Sequence, residues 1–437
     1  MSIEHVVLIL VGTVLVVFVT GLPIGFTLGS VAMVYALLLW GPSSLSIIAH
    51  GALYAMTSFM LVAIPLFILM GMILERSGVA NAMYDTMYKW MGPLRGGLAI
   101  GTVLICTLIA AMVGIMGAGI VTMGIVAMPE MFKRKYDKRM VMGSIMSGGV
   151  LGTLIPPSIP MILYSLYAKQ SVGKMFAGGL IPGVILSTLY CSYIGIRCLR
   201  NPKLGPALPP EERVDWKEKF VSLRGSILPI VLIIGVLGSI FLGFATPTEA
   251  SAVGAFGAFI CSLIYRKFGL RMLREACYRT MLLTGMIMWI MVGINCFNSF
   301  FMAMGGIHLL DGLIVGVNPW AVLIAMQLSL FVLGTFMDDY AIIMIATPIY
   351  APVILALGFD PLWFGILFIM NMQMAVLTPP YGFATFYMKG LVQKDILMTD
   401  IWRAVIPFVA LQGTGLILVM IFPNLALWLP GLIFKRF

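Results

Sequence analysis

The chain has 437 residues, of which 61% are hydrophobic and only 10% are charged, and its mean hydropathy is +1.06. A soluble domain carries about a quarter charged residues, so this composition excludes a soluble protein and indicates one that crosses a membrane many times. The formal net charge of +10 could suggest a nucleic-acid-binding protein, but the distribution of the basic residues, described below, indicates membrane orientation instead.

Apolar stretches of about 20 residues recur along the chain, and each can cross a hydrocarbon core about 30 Å thick. The first has no basic n-region and no small-residue cleavage site, so we expect a retained span and not a signal peptide. The long polar loop 198–225 divides ten predicted spans five and five. The spans are residues 5–28, 31–50, 52–74, 140–166, 176–197, 226–245, 248–266, 281–303, 361–388 and 403–429.

Two further apolar regions, 94–135 and 318–358, are too long for single spans. Each must leave the membrane on the side where it entered, either as a re-entrant hairpin or as two spanning helices. We favour two hairpins whose tips meet near the midplane. The expected tips are the glycine-rich, uncharged turn Gly114–Gly119 and the acidic turn Gly334–Tyr340.

Basic residues mark the orientation of the chain. In the predicted topology 23 of the 27 Lys and Arg lie on one face, and the other face has Lys169, Lys174, Lys435 and Arg436. The positive-inside rule therefore places the basic face in the cytoplasm and both termini outside. The short basic segments 78–92 and 267–279 are either interfacial amphipathic helices or solvated loops. Thr246–Glu249 has the pattern of a capping box.

An odd number of spans in each half means that the second half is inserted upside down relative to the first. The tandem Pro156-Pro157 returns 223 residues later as Pro379-Pro380, and the same offset relates Asp137 to Asp360. The segment 129–137 is rich in Lys and Arg, whereas its counterpart 352–360 has none. This asymmetry is what an inverted repeat predicts.

Two adjacent prolines in mid-membrane break a helix. The carbonyls that they free cannot face lipid, so they must line a site enclosed by protein, where they suit a hard cation such as Na⁺. The alternative is a kinked packing helix, which a repeated, symmetric pair of breaks disfavours. At the second hairpin tip, the pair Asp338-Asp339 could hold a cation or carry a proton; alternatively, it belongs to an ordinary loop in water.

Several motifs match a known family in order and spacing. They are Ile64-Pro-Leu-Phe-Ile-Leu-Met-Gly71, Gly149-Val-Leu-Gly-Thr-Leu-Ile-Pro-Pro-Ser-Ile-Pro160, Ala245-Thr-Pro-Thr-Glu-Ala250, Gly334-Thr-Phe-Met-Asp338, Ala341-Ile-Ile-Met-Ile-Ala-Thr-Pro348 and Leu377-Thr-Pro-Pro-Tyr-Gly382. With these motifs the chain resembles, over essentially its full length, the large membrane subunit of tripartite ATP-independent periplasmic (TRAP) transporters. At its first hairpin tip, Val113-Gly-Ile-Met-Gly-Ala-Gly119 stands where many members carry serines.

The resemblance implies an all-α polytopic fold of two inverted five-span repeats and an elevator-type, ion-transporter-like architecture in the bacterial inner membrane. It implies uptake of an organic acid with Na⁺ as the coupling ion, a periplasmic substrate-binding protein and a small four-helix membrane subunit as partners. We expect a monocarboxylate or 2-oxo acid as substrate, no enzymatic activity, no other cofactor and no nucleic-acid partner. A stand-alone Na⁺/carboxylate symporter is the alternative; a membrane enzyme would need a convergent catalytic set that the sequence does not display.

The resemblance also implies domains and site residues. Scaffold helices would comprise 1–93, 167–303 and 389–437, and the transport domain 94–166 and 318–388. Na⁺ would bind near Gly114, Gly152, Ile155 and Pro157 in the first half, and near Gly334, Asp338, Ala375 and Thr378 in the second. Substrate contacts and the breaks themselves would involve Gly117, Pro156, Ser158, Asp339, Pro379, Pro380 and Gly382.

Overall fold

A computed structural model describes residues 3–306 and 316–434, and within these ranges the regular structure is entirely helical. Seven of the described helices are long and apolar enough to cross a membrane. The other predicted crossings fall on shorter or interrupted apolar helices. Lys435 and Arg436, which the sequence analysis assigns to the periplasmic face, lie outside the described residues.

The first half of the chain forms ten helices before the long polar loop. They are α1 (Ile3–Val19), α2 (Ile24–Trp40), α3 (Leu45–Thr57), α4 (Ala63–Arg76), α5 (Val79–Met91), α6 (Gly97–Val113), α7 (Met116–Lys133), α8 (Lys138–Val150), α9 (Ile159–Tyr167) and α10 (Val172–Arg200). The predicted span 5–28 covers α1 and the start of α2, 31–50 runs from the middle of α2 across Gly41 into α3, and 52–74 covers the end of α3 and most of α4. The spans 140–166 and 176–197 correspond to the α8–α9 pair and to α10. The apolar region 94–135 is the hairpin α6–α7.

The polar loop contains two 3₁₀ turns, Pro202–Leu204 and Pro210–Glu212, and one short α-helix, α11 (Trp216–Ser222), before the second half begins. The helices there are α12 (Arg224–Phe241), α13 (Pro247–Ile264), α14 (Leu270–Ala303), α15 (Pro319–Gly334), α16 (Asp339–Ala356), α17 (Pro361–Leu377), α18 (Phe383–Leu391), α19 (Met398–Ile421) and α20 (Asn424–Ile433). The region 318–358 is the second hairpin, α15–α16, and α17 and α18 form the second broken helix.

Several predicted span boundaries are wrong, all for one reason. The predicted span 5–28 is interrupted after α1, where Gly21 has φ +80° and Pro23 precedes α2. The predicted span 52–74 is interrupted at Ser58, whose backbone is extended. The predicted span 403–429 is interrupted at Pro423, which precedes α20. Hydropathy averaged over a window does not detect single residues that end a helix.

Of the two short basic segments, 78–92 forms the separate helix α5, whereas 267–279 leads into and forms the first turns of α14. The first segment is therefore separated by a break from the helix that follows it, whereas the second continues directly into the span α14. The capping box at the start of α13 is confirmed: Thr246 N donates to Glu249 Oε2 at 2.7 Å, and Glu249 N donates to Thr246 Oγ1 at 3.3 Å.

The two halves are structural repeats. Helices α2 and α13, α7 and α16, and α8 and α17 begin 223 residues apart. Asp137 Oδ1 caps α8 by accepting from the backbone of Arg139 and Met140 at 3.1 Å. Asp360 Oδ1 does the same for α17, accepting from Leu362 N at 2.7 Å and Trp363 N at 3.4 Å. The predicted repeat therefore extends to individual hydrogen bonds, and the predicted all-helical fold is confirmed.

Packing divides the helices into two groups. In one group α4 packs against α13 and α2 against α14, with Gly25 so close that an added Cβ would lie 2.8 Å from Trp289 O. In the other group α10 and α19 pack against the hairpins and broken helices. There, Trp363 Nε1 of α17 donates to Val419 O of α19 at 2.9 Å, and the rings of Tyr190 and Phe408 lie 5.6 Å apart.

The long polar loop is held against the ends of the first hairpin and of α8. Gly96 N donates to Gly205 O at 2.8 Å, and Asp137 N donates to Leu204 O at 3.1 Å. Arg134, at the end of α7, donates from Nη1 to Glu212 Oε1 at 2.6 Å. This hydrogen bond lowers the pKa of Glu212, so the pair remains charged at neutral pH. The loop therefore connects the repeats as an ordered element.

Candidate functional site

The first proline break is buried along its whole length. All residues from Leu151 to Ser158 are buried, and the Pro156-Pro157 peptide bond is cis. Ser158 begins α9: its Oγ accepts from Met161 N at 3.3 Å and donates to Thr153 O at 2.5 Å. Of the residues predicted to hold Na⁺, Gly152 lies in a 3₁₀ turn, Leu151–Thr153, and Ile155 and Pro157 lie in the irregular segment that follows it. The break therefore faces protein, as unpaired carbonyls in a membrane require.

The tip of the first hairpin lies directly on this break. Gly114 has φ +64°, and a Cβ at this position would lie 2.5 Å from Pro157 O. Just beyond the tip, a Cβ on Gly119 would lie 3.3 Å from the Cα of Gly149 in α8. At Gly114 only glycine permits this approach, whereas a side chain at Gly119 would require its neighbour to shift by a few tenths of an ångström. The structure thus brings Gly114 to Pro157, and because Val113–Gly119 has no side-chain oxygen, the oxygen donors of this tip are backbone carbonyls.

The second break has the same construction but is more open. Pro379-Pro380 is also cis, and Gly382, with φ +52°, precedes α18. Thr378 ends α17, and its Oγ1 donates to Met374 O at 2.7 Å. Whereas every residue of the first break is buried, Pro380 is exposed here and Tyr381 is 48% exposed. The two breaks therefore have similar backbone conformations, but the second is more exposed than the first.

The second hairpin tip carries two aspartates. A Cβ on Gly334 would lie 2.5 Å from Ala375 Cβ, so Gly334 and Ala375, both predicted to lie near Na⁺, are brought together. Asp339 is only 3% exposed, and its Oδ1 accepts from Tyr340 N at 3.0 Å. Asp338 Oδ2 is buried and has no hydrogen-bond partner among the described residues. This burial argues against an ordinary loop in water, because an unpaired buried carboxylate oxygen is costly without a cation or proton.

The first hairpin also contacts the second break. A Cβ on Gly117 would lie 2.8 Å from Tyr387 Cζ in α18, so the two halves meet here. A cavity of about 380 Å³ adjoins this contact and is lined by Val121 of α7 and by Phe383, Phe386, Tyr387 and Leu391 of α18. The sequence analysis missed Tyr387, because nothing in an apolar helix distinguishes one tyrosine from its packed neighbours.

A buried polar network joins the two broken helices to α19. Gln373 Nε2 donates to Val150 O at 2.8 Å, and Gln412 Nε2 donates to Gln373 Oε1 at 2.9 Å. Gln373 and Val150 are 223 residues apart, so this bond links equivalent positions of the two repeats. The sequence analysis did not single out these glutamines, although polar side chains inside apolar spans are candidates for interhelical contacts.

Gln373→Leu is expected to destabilise the protein by about 1–3 kcal/mol, because it leaves the Val150 carbonyl and the Gln412 amide buried without partners. Thermal unfolding of the detergent-purified chain measures this effect. Gln393→Leu, on the exposed segment after α18, is the control and should change stability by no more than about 0.5 kcal/mol. Equal melting temperatures for the two variants would show that the network does not stabilise the fold.

Two asparagines of α14 join the first helix group to the second. Asn298 Nδ2 donates to Met344 O in α16 at 3.1 Å, and Asn295 Nδ2 donates to Tyr167 OH in α9 at 2.6 Å. Both asparagines are buried. They are polar contacts across the boundary between the helix groups, next to the second hairpin and the first broken helix.

The ligand set of this region suits one class of ion. Among the described residues there is no group of three or more His, Cys, Asp or Glu that could hold a metal ion. Backbone carbonyls, the Asp338 carboxylate and the Thr378 hydroxyl present hard oxygen atoms, which favour an alkali or alkaline-earth cation over a transition metal.

The chain matches the family model described as "Tripartite ATP-independent periplasmic transporter, DctM component" over residues 11–425. It is 33% identical to the C4-dicarboxylate TRAP transporter large permease protein DctM of Pseudomonas aeruginosa over 398 residues, covering 90% of this chain and 92% of that protein. It is 28% identical to the ectoine TRAP transporter large permease protein TeaC of Halomonas elongata, covering 98% and 99% of the two chains.

Among solved structures, the YdaH transporter of Alcanivorax borkumensis, described as having an unusual topology, aligns with a TM-score of 0.65 at 15% identity. The alignment covers 95% of this chain and 98% of that one. This likeness extends the fold over the whole chain, and the sequence matches identify the family. The chain belongs to the DctM family, the large membrane subunits of tripartite ATP-independent periplasmic transporters.

Proposed function

We propose that this subunit carries an organic acid into the cell by Na⁺-coupled secondary transport. The observation that carries the proposal is the pairing of each hairpin with a tandem-proline break, together with the unpaired, buried Oδ2 of Asp338 at the second tip. Two symmetric sets of enclosed backbone carbonyls suit a hard cation. A simple packing helix would need neither the breaks nor a buried carboxylate.

The two proposed Na⁺ sites differ in chemistry. In the first half Na⁺ would bind near Gly114, Gly152, Ile155 and Pro157, where the donors are main-chain carbonyls. In the second half it would bind near Gly334, Asp338, Ala375 and Thr378, where a carboxylate adds a full negative charge. We therefore infer that the second site binds Na⁺ more tightly, because a carboxylate attracts a cation far more strongly than a carbonyl dipole does at low dielectric.

We propose a monocarboxylate or 2-oxo acid as the substrate. Helices α9 and α18 begin at the breaks, and the partial positive charge of a helix N-terminus favours a carboxylate. Related large permeases are named for C4-dicarboxylates and for sialic acid. Because the chain belongs to a family of three-part transporters, we propose that a periplasmic substrate-binding protein delivers the acid and that a small four-helix membrane subunit completes the membrane complex.

The transport step would be an elevator motion of one helix group past the other. The hairpins and broken helices, 94–166 and 318–388, would form the mobile body. Because α10 and α19 pack against these elements, and α19 shares the buried hydrogen bonds of Trp363 and Gln373 with them, we propose that both helices move with this body. The bonds of Asn295 and Asn298 would then be exchanged during the motion.

The distribution of charge supports one orientation of the chain. We propose that the basic face, which includes Arg134, Arg139 and the loop 198–225, lies in the cytoplasm, and that both termini lie in the periplasm. The protein would then reside in the bacterial inner membrane, where a periplasmic binding protein can dock on the opposite face.

Reconstitution tests this function. The chain is incorporated into liposomes with its small subunit, and uptake of candidate acids is measured with and without the cognate binding protein, under an inward Na⁺ gradient or with K⁺ in its place. We expect uptake only when both the binding protein and the Na⁺ gradient are present. Uptake without the binding protein would favour a stand-alone Na⁺/carboxylate symporter, and uptake unaffected by replacing Na⁺ would contradict Na⁺ coupling.

A further inference from the structure

Three arginines from three different helices line one pocket on the basic face. They are Arg139 at the start of α8, Arg197 in the last turn of α10 and Arg403 near the start of α19, and the pocket has a volume of about 200 Å³. All three residues are exposed, and in the part of the chain that the structure describes none of them forms an ion pair. The pocket thus concentrates positive charge with open hydrogen-bonding capacity.

The only carboxylate among the residues that line this pocket belongs to Asp137. It caps α8 by accepting hydrogen bonds from the backbone of Arg139 and Met140. One carboxylate against three guanidinium groups leaves an excess of two positive charges in the pocket. Like charges in so small a volume repel one another unless an anion lies between them.

The repeat supplies an internal comparison. A second pocket, of about 260 Å³, lies at the opposite end of α10 and is lined by Lys174, Asp360, Leu362 and Leu427, among others. Asp360, Leu362 and Leu427 are 223 residues after Asp137, Arg139 and Leu204, which line the first pocket. The fold therefore builds this pocket twice, but only the copy on the basic face carries three arginines. Because the second pocket forms without arginines, the three arginines are not needed for the first pocket to fold.

Membrane orientation explains why the basic face is rich in arginine, but not why three arginines converge. Basic residues that only orient a span act from any loop position near its end, as Arg95 and Arg200 could. A pocket that gathers guanidinium groups from α8, α10 and α19 instead has the arrangement that binds a phosphate, because each guanidinium can donate two parallel hydrogen bonds to phosphate oxygens.

Apolar residues beside the arginines indicate where such a phosphate would come from. Ile196 and Leu199 flank Arg197 on α10, Ile406 follows Arg403 by one turn of α19, and all three side chains are more than half exposed. Exposed apolar side chains beside a basic pocket suit contact with lipid acyl chains. We propose that the pocket binds the phosphate group of an anionic phospholipid from the cytoplasmic leaflet, with the acyl chains lying along α10 and α19.

Native mass spectrometry of the purified full chain tests this site, with phosphatidylglycerol and phosphatidylcholine of matched acyl chains as probes. In the test variant Arg139, Arg197 and Arg403 are replaced by Gln. In the control variant Arg95, Arg200 and Arg274, which are also exposed basic-face residues, are replaced by Gln. We expect the wild type and the control to retain phosphatidylglycerol over phosphatidylcholine, and the test variant to bind it at least about tenfold more weakly, as the loss of several charge-assisted bonds implies.

Competition with inorganic phosphate at millimolar concentration distinguishes a site for a lipid phosphate group from a site for a free phosphate ion. If it leaves bound phosphatidylglycerol in place, the lipid assignment is supported, because acyl contacts add affinity that a free ion lacks. If it displaces the lipid completely and binds the wild type but not the test variant, the pocket recognises a free anion and the lipid assignment is overturned. Equal binding of both lipids, or equal loss in the test and control variants, overturns the site itself.

Discussion

Asp338→Asn is expected to abolish most Na⁺-dependent uptake and to raise the Na⁺ concentration for half-maximal uptake by at least about tenfold. Asp338 Oδ2 is buried and unpaired among the described residues, and the proposed Na⁺ would supply its counter-charge. The amide has the same shape but no charge. Asn is as good an N-cap as Asp, and the Asp338 side chain makes no cap hydrogen bond to α16, so the variant should fold normally.

The control for this prediction is Asp395→Asn. Asp395 is also an aspartate, but its side chain is 62% exposed and its carboxylate lies 3.4 Å from Lys138 Nζ on the basic face. An exposed pair of this kind contributes about 0–1 kcal/mol, so Na⁺ dependence should stay unchanged. If Asp338→Asn showed the wild-type Na⁺ titration in proteoliposomes, Asp338 would not be a ligand of the coupling ion.

Gly114→Ala is expected to reduce uptake at least about tenfold, through backbone strain and through steric overlap with the first break. A left-handed backbone costs an alanine about 1–2 kcal/mol, and the new Cβ would lie 2.5 Å from Pro157 O. Because this oxygen belongs to the backbone, it can move only if the break changes shape. Pro157 is among the residues proposed to hold Na⁺ in the first half, so the substitution should lower Na⁺ affinity as well as rate.

Gly358→Ala separates these effects. Gly358 has φ +80° but no atom within 4 Å of an added Cβ. Its counterpart in the first repeat is Lys135, which has φ +58°, so the fold already accommodates a side chain at this position. This variant should therefore show only backbone strain, and uptake should stay within about twofold of wild type, as for most surface changes. Similar uptake by the two variants, at equal amounts in the membrane, would show that contact between the tip and the break is unimportant.

The features that could be predicted from the sequence are those marked by residues with strong local effects. Pro156-Pro157 and Pro379-Pro380 interrupt apolar segments, and the predicted breaks lie where the structure has them. The glycines at 114 and 117 and the aspartates at 338 and 339 likewise marked the two hairpin tips. The repeat could be detected because Asp137 and Asp360 cap equivalent helices.

The features that could not be predicted depend on tertiary packing or on single breaks in uniformly apolar sequence. Pro23 and Ser58 interrupt predicted spans within stretches whose average composition remains apolar. The contact of Gly117 with Tyr387 and the bond from Gln373 to Val150 join residues more than 200 positions apart. The grouping of α10 and α19 with the hairpins is also a property of packing, and no local pattern in these helices indicates it.

The central claim is that substrate and Na⁺ enter together, and ²²Na⁺ flux tests it most directly. Proteoliposomes containing the chain and its small subunit are supplied with binding protein loaded with substrate, and ²²Na⁺ entry is followed beside substrate entry. We predict that substrate-loaded binding protein stimulates ²²Na⁺ entry in a fixed ratio to substrate, and that Asp338→Asn removes this stimulation. Substrate entry with no accompanying ²²Na⁺ would contradict the account.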